Sequence, residues 1–261
     1  MGARALLNIF LMFRAAALMT LLLAASSSAV AGLRGDLDAL AHQRIFFAHQ
    51  SVGANILQGV RELASEAGVP VRIDDIYVER NGEPLQKLAN FDAALGAGSR
   101  YDIALVKFCY VDVNSATDAK ALFARYQETL AALRKRNPRT TFVHATLPLT
   151  TVQTGLKALA KRTLGREPSG TVENVRREEY NALLRRTYGG REPIFDLARL
   201  ESTAPDGSAV RVSWEGMVAP ALSPAWTDDG GHLNEAGRLR AAREFIHVLA
   251  GAAIRASRAR L

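Results

Sequence analysis

The chain has 261 residues, 48% hydrophobic and 23% charged, with a formal net charge of +7 and a single cysteine. That composition suits one globular domain with a full hydrophobic core. One cysteine, Cys109, excludes an internal disulfide, and no recognition motif accompanies the positive charge to suggest nucleic acid.

The first 31 residues read as a segment apart. Arg4 and Arg14 precede an apolar run from Ala15 to Ala25, and Ala29-Val30-Ala31 has the small-x-small form of a cleavage site. This is the pattern of a secretory signal peptide, 1–31, followed by one domain, 32–261, in a secreted or periplasmic protein. The alternative is an N-terminal membrane anchor, because Ile9 to Phe13 lengthens the apolar stretch. Removing two arginines and no acids lowers the charge from +7 to +5. Much of the remainder is a basic C-terminal tail, including Arg255, Arg258 and Arg260, suited to weak contact with an anionic surface.

Residues 32–43 read as a short leader. Ile45-Phe46-Phe47-Ala48 is an apolar run with the length of a buried strand. It stops at His49-Gln50-Ser51-Val52-Gly53, and a helical stripe of Ile56, Leu57, Val60, Leu63 and Ala64 begins. Residues 71–78 predict a second strand, 91–95 the end of a short helix, and 102–108 a third strand. Thr117 is the expected cap of a helix that Asn137-Pro138 ends. Residues 141–147 predict a fourth strand, and 150–172 an excursion over the active face. A helix follows over 172–188, then a fifth strand over 193–197. Residues 203–227 read as a long irregular segment holding Trp214 and Trp226, and Asn234 as the cap of the last helix. Strands alternating with helices predict an α/β protein: a three-layer α/β/α sandwich on a parallel five-stranded sheet. In such a sheet the site lies beyond the carboxyl ends of the strands.

Ser51 falls at the first of those ends, where a strand turns into a helix and backbone N–H groups face outward. A serine nucleophile there needs a base, and Asp229-Gly230-Gly231-His232 offers one. Two glycines allow a tight turn, so the Asp229 carboxylate can reach the His232 imidazole and hold one tautomer. The competing reading is an ordinary Asp-Gly-Gly turn with His232 preceding a helix. His49 and His144 have no ligand spacing with His232, so no metal is expected. Lys107, a charge inside an apolar strand, is expected to pair with an acid such as Asp112. The tryptophans suit either packing or stacking on sugar rings.

These residues resemble the SGNH hydrolases, the GDSL esterase/lipase family. The resemblance lies in AHQSVG around Ser51 after the first strand and in Asp229-Gly230-Gly231-His232-Leu233-Asn234 before the last helix. In element order it spans 43–250. HQSVG stands where the family has Gly-Asp-Ser-Leu, the mark of a divergent branch. The resemblance implies a flavodoxin-like sandwich and a Ser51–His232–Asp229 triad working without a cofactor. It also implies an oxyanion hole made of the serine N–H, a glycine and an asparagine. The family's Gly-x-Asn-Asp block appears here as Cys109-Tyr110-Val111-Asp112, with valine at the asparagine position. Gly82 is the candidate glycine, and Asn81 or Asn55 the candidate amide. The implied activity is hydrolysis of a carbohydrate or other small acyl ester. The alternatives are a polysaccharide O-acetyltransferase on the same fold and a binding module that has lost turnover.

Overall fold

The computed structural model describes residues 31–258. The expected signal segment lies outside them, apart from its last residue, as does the C-terminal Arg260. Residues 31–40 form helix α1 where a leader is expected. Its Leu37 and Leu40 are fully buried, so an apolar pair three apart docks it on the core. Strand β1 follows at Ile45–His49, with all five residues buried, and helix α2 at Ser51–Ala67. Gly68, at φ 66°, ends α2 in the left-handed region, its N–H meeting the Ala64 and Ser65 carbonyls.

Strand β2 (Ile73–Tyr77) is half exposed, and Asp74 and Asp75 blunt it as a sheet edge. Helix α3 (Pro84–Leu95) starts with proline in its first turn, where a missing N–H costs nothing. Strand β3 (Ile103–Val106) is buried throughout. Helix α4 (Ala119–Arg136) is capped by Asp118, whose side chain accepts from Lys120 and Ala121, rather than by Thr117. Short strands β4 (Thr141–Phe142) and β5 (His144–Ala145) follow, then helices α5 (Gly155–Thr163) and α6 (Thr171–Tyr188). Strand β6 (Ile194–Phe195) leads into helix α7 (Leu197–Glu201), and strands β7 (Arg211–Trp214) and β8 (Met217–Pro220) precede helix α8 (Glu235–Arg258).

The main sheet is parallel, in the order β2-β1-β3-β4. Alternate residues of β1 serve opposite faces. Ile45 and Phe47 join a core with α1, α2 and α8, while Phe46 and Ala48 join one with α3, α4 and α6. That is the three-layer α/β/α sandwich. The strand count differs from expectation: the continuous sheet has four strands, not five. At Val143 the fourth strand changes partner. Its N–H still bonds Ala104, but the N–H of His144 bonds Pro193, so β5 pairs with β6 as a separate two-stranded sheet.

Residues 203–227 are more ordered than expected, because Arg211–Trp214 and Met217–Pro220 pair as an antiparallel hairpin. Among the described residues no helix is long and apolar enough to cross a membrane.

Candidate active site

In the order β2-β1-β3, the chain leaves β1 to one side and then to the other. The crevice beyond the ends of β1 and β3 is therefore the switch point where open α/β sheets bind ligands. Ser51 is the first residue of α2, directly above β1. Gln50 before it is extended, at φ −133°, and no side chain caps the helix. The first intrahelical donor is the Ala54 N–H, to Gln50 O, so the N–H groups of Ser51, Val52 and Gly53 lie ahead of the ladder. The helix starts hard against the strand: a Cβ on Gly53 would sit 2.4 Å from His49 Cβ, which only glycine permits. His49 is pinned beneath, with Nε2 2.9 Å from Asp75 Oδ2 and Nδ1 2.9 Å from Gln50 O.

Asp229 and His232 sit in the turn before α8. Asp229 Oδ1 accepts from the Gly231 and His232 N–H groups at 2.9 and 2.8 Å, and Oδ2 lies 2.6 Å from His232 Nδ1. The His232 ring bond and those two backbone donors hold the Asp229 carboxyl well below its usual range, so it is an ionised acceptor. Nδ1–H then donates to Oδ2, which leaves Nε2 as the ring nitrogen free to meet another group. Gly230, at φ 90°, makes the turn possible, and a Cβ there would strike Thr151 Oγ1 at 2.7 Å. Asn234 caps α8 as expected, accepting from Gly237 N–H at 3.0 Å.

One bond joins the two halves. Asn55, one turn into α2 from Ser51, accepts from the Leu233 N–H at 3.2 Å. The residue beside His232 is thereby tied to the helix that begins with Ser51. Tyr110, just past β3, packs edge-on against His232, with ring centroids 5.8 Å apart. Thr151 N–H donates to Gly230 O at 2.9 Å. Ser51 Oγ and His232 Nε2 have no hydrogen-bond partner among the described residues, so the direct bond between them is not made in this state. Such bonds commonly close only around substrate.

Below the crevice lies a charged, buried floor. Lys87 Nζ is 2.5 Å from Gln50 Oε1 and 2.5 and 2.6 Å from the two Asp112 oxygens. Asp112 also accepts from Gly82 N–H at 3.0 Å and Cys109 N–H at 2.7 Å. The partner of Asp112 is thus Lys87. Lys107, expected in that role, instead donates to Phe108 O. The Gly82 N–H is engaged inward by this carboxylate, and Asn81 is exposed, its side chain making no hydrogen bond among the described residues. Glu201 is fully buried and pushed up to about 8 by burial; one oxygen accepts from Leu149 N–H, and the other has no partner.

Several of these residues escaped the sequence reading. Asn174, Arg177 and Asn181 are spaced three and four apart on α6 and are all buried. Asn174 and Asn181 pair through their amides with the backbone of Thr150 and Leu147. Arg177 donates to Tyr110 O at 3.0 Å and Thr150 Oγ1 at 2.9 Å. That polar stripe was visible in the sequence as a helical period. Lys87 gave no such signal, since one lysine in an amphipathic helix reads as a solvated charge. Trp226 packs against the fold, its Nε1 donating to Thr203 O, and Trp214 lies beneath the Arg176 guanidinium. His144 is bonded to Tyr126 and Glu192, away from His232. Among the described residues no His, Cys, Asp or Glu group is arranged to hold a metal ion.

No family model and no curated protein matches the chain. Solved structures do. A protein of Streptococcus pneumonia, provisionally described as a platelet activating factor, superposes at a TM-score of 0.51 with 15% identity, covering 90% of this chain and 99% of that one. An acetyl xylan esterase, AlAXEase, is similar at 0.47 and 16% identity over 79% of this chain and 99% of its own. The periplasmic domain of a lipopolysaccharide acetyltransferase from Salmonella ser. Paratyphi A is similar at 0.47 and 14% over 79% and 83%. At these identities, what the chain shares with the first of them is its α/β fold.

Proposed function

We propose that the protein is an exported serine esterase of the SGNH type, acting on a carbohydrate or other small acyl ester. The observation that carries this reading is the 2.6 Å Asp229–His232 pair, tied through Leu233 and Asn55 to the helix that Ser51 begins. The His232 Nε2 takes the Ser51 hydroxyl proton as Oγ forms its bond to the ester carbonyl carbon. The carbonyl oxygen becomes an oxyanion. The tetrahedral species collapses, the bond to the leaving alcohol breaks, and His232 returns its proton to that alcohol. Water then gives a proton to His232 and adds to the acyl-enzyme, releasing the acid and restoring Ser51.

We assign the oxyanion donors to the Ser51 N–H and the Asn55 side-chain amide. Asn55 Oδ1 is held by Leu233, which fixes the amide plane, and its Nδ2 has no partner among the described residues. Gly82 can donate only if its bond to Asp112 opens.

Hydrolysis of p-nitrophenyl acetate by the parent, Ser51→Ala and His232→Ala tests the reading. The expected result is activity in the parent that falls by about 10⁴-fold or more in both variants. A folded parent that neither turns over nor reacts with a fluorophosphonate probe would leave a binding module instead. Adding a sugar acceptor separates hydrolysis from acetyl transfer, since only a transferase yields acetylated sugar in excess water.

A further inference from the structure

Helix α5 is amphipathic, but its apolar side faces the wrong way for a packed helix. At 100° per residue, Leu156, Leu159, Ala160 and Thr163 share one face, and Ala158 lies opposite Leu156. Ala158 is the one residue of α5 that is buried, at 4% exposure, while Leu156 is 84% and Leu159 58% exposed. Leu164, the next residue, is 74% exposed. In a folded domain such leucines normally turn inward, because burying their apolar surface is favourable. Lys157, Arg162 and Arg166 flank them and have no ion-pair partner among the described residues, and the Lys161 ammonium meets the neutral Ser169 hydroxyl. Glycines in the left-handed region, Gly155 at φ 73° and Gly165 at φ 67°, bracket the segment.

We propose that α5 docks the protein on an anionic phospholipid surface, with the leucines entering the acyl boundary and the lysines and arginines meeting the headgroups. Charge complementarity selects this occupant: exposed leucines edged by unpaired cations are the composition of an interfacial helix, whereas a second copy would bring the same cations together. The position of α5 gives the docking a consequence. The excursion leaves the fold at Thr151, bonded to Gly230, and returns at Gly170, where a Cβ would lie 2.2 Å from Thr151 O. Both ends are therefore fastened beside the turn that carries Asp229 and His232. A protein seated on α5 presents that crevice near the lipid surface.

The experiment uses the full chain with an environment-sensitive nitrobenzoxadiazole dye on Leu159→Cys. The native Cys109 is buried and does not compete for labelling. A control carries the dye on Lys135→Cys, at the end of α4 and the opposite end of the sheet. Vesicles of phosphatidylglycerol should shift the Leu159→Cys emission to the blue and leave the control unchanged. Vesicles of phosphatidylcholine should do neither. Lys157→Glu with Arg162→Glu should weaken the partitioning by about tenfold or more, with far-ultraviolet circular dichroism unchanged. The proposal is overturned by no shift at position 159, by an equal shift on both vesicles, or by a shift that follows protein concentration without lipid, which would mark a second copy.

Discussion

Asn55 combines an observed contact with the proposed oxyanion role, and the two can be pulled apart. Its Oδ1 anchors Leu233, and its Nδ2 is the assigned oxyanion donor. Asn55→Asp keeps an acceptor for the Leu233 N–H and removes the donor. The expected outcome is a loss of about 10²–10³-fold in kcat with little change in KM or melting temperature. Full activity in Asn55→Asp would remove the donor role and return attention to Gly82 and Asn81. Asp229 belongs to the same scale. Its bonds to His232 and Gly231 hold its carboxyl below the usual carboxylate range.

Among the elements, α2 and α8 matter most, because one begins at Ser51 and the other follows His232. They meet at Gly59, where a Cβ would lie 2.8 Å from both Ala242 Cβ and Arg238 O. Backbone cannot yield as a flexible side chain can. Gly59→Val is expected to cost about 1–3 kcal/mol in a denaturation midpoint and to lower esterase activity in the protein that remains folded. A variant as stable and active as the parent would show that the helices can separate without disturbing the site. On the other face, α3 contributes Lys87 to the pair with Asp112, both fully buried. Lys87→Met leaves a carboxylate in the floor without its cation. The expected loss is about 3–5 kcal/mol, read as a lower melting temperature, with partial recovery in Lys87→Met/Asp112→Asn.

For the whole molecule, two buried groups set opposite slopes of stability against pH. Glu201 is raised by burial from 4.5 to about 8, so the folded state holds a proton that the unfolded chain releases. Its contribution is fully present below about 4.5 and is lost as pH rises toward 8. His144 is lowered from 6.5 to about 4, first by burial, which outweighs the nearby Glu192. Its contribution is present above 6.5 and is lost as pH falls toward 4. The two slopes oppose each other between about 4.5 and 6.5, and of the two only Glu201 contributes from 6.5 to 8. Glu201→Gln should therefore raise the melting temperature relative to the parent at pH 8 and change it little at pH 4.5. Equal effects at both pH values would mean that Glu201 is not protonated in the fold.

The sequence by itself determined the layers and the alternation of strands and helices. Buried parallel strands are continuous apolar runs, and the helices that cover them show one apolar stripe, so Ile45–Ala48 and the stripe from Ile56 to Ala64 were legible without coordinates. It also brought forward Ser51, Asp229 and His232, because a strand end and a glycine turn are local signals. Tertiary structure alone decided what local signals do not carry. The switch of partner at Val143 split the expected fourth strand and set its second half in a separate pair with the expected fifth, since neighbour choice depends on where other strands lie. Asp112 went to Lys87 rather than Lys107, because charges pair by distance in space and not along the chain. The Asn55–Leu233 bond spans 178 residues, and α5 turns its leucines outward although their spacing alone would bury them.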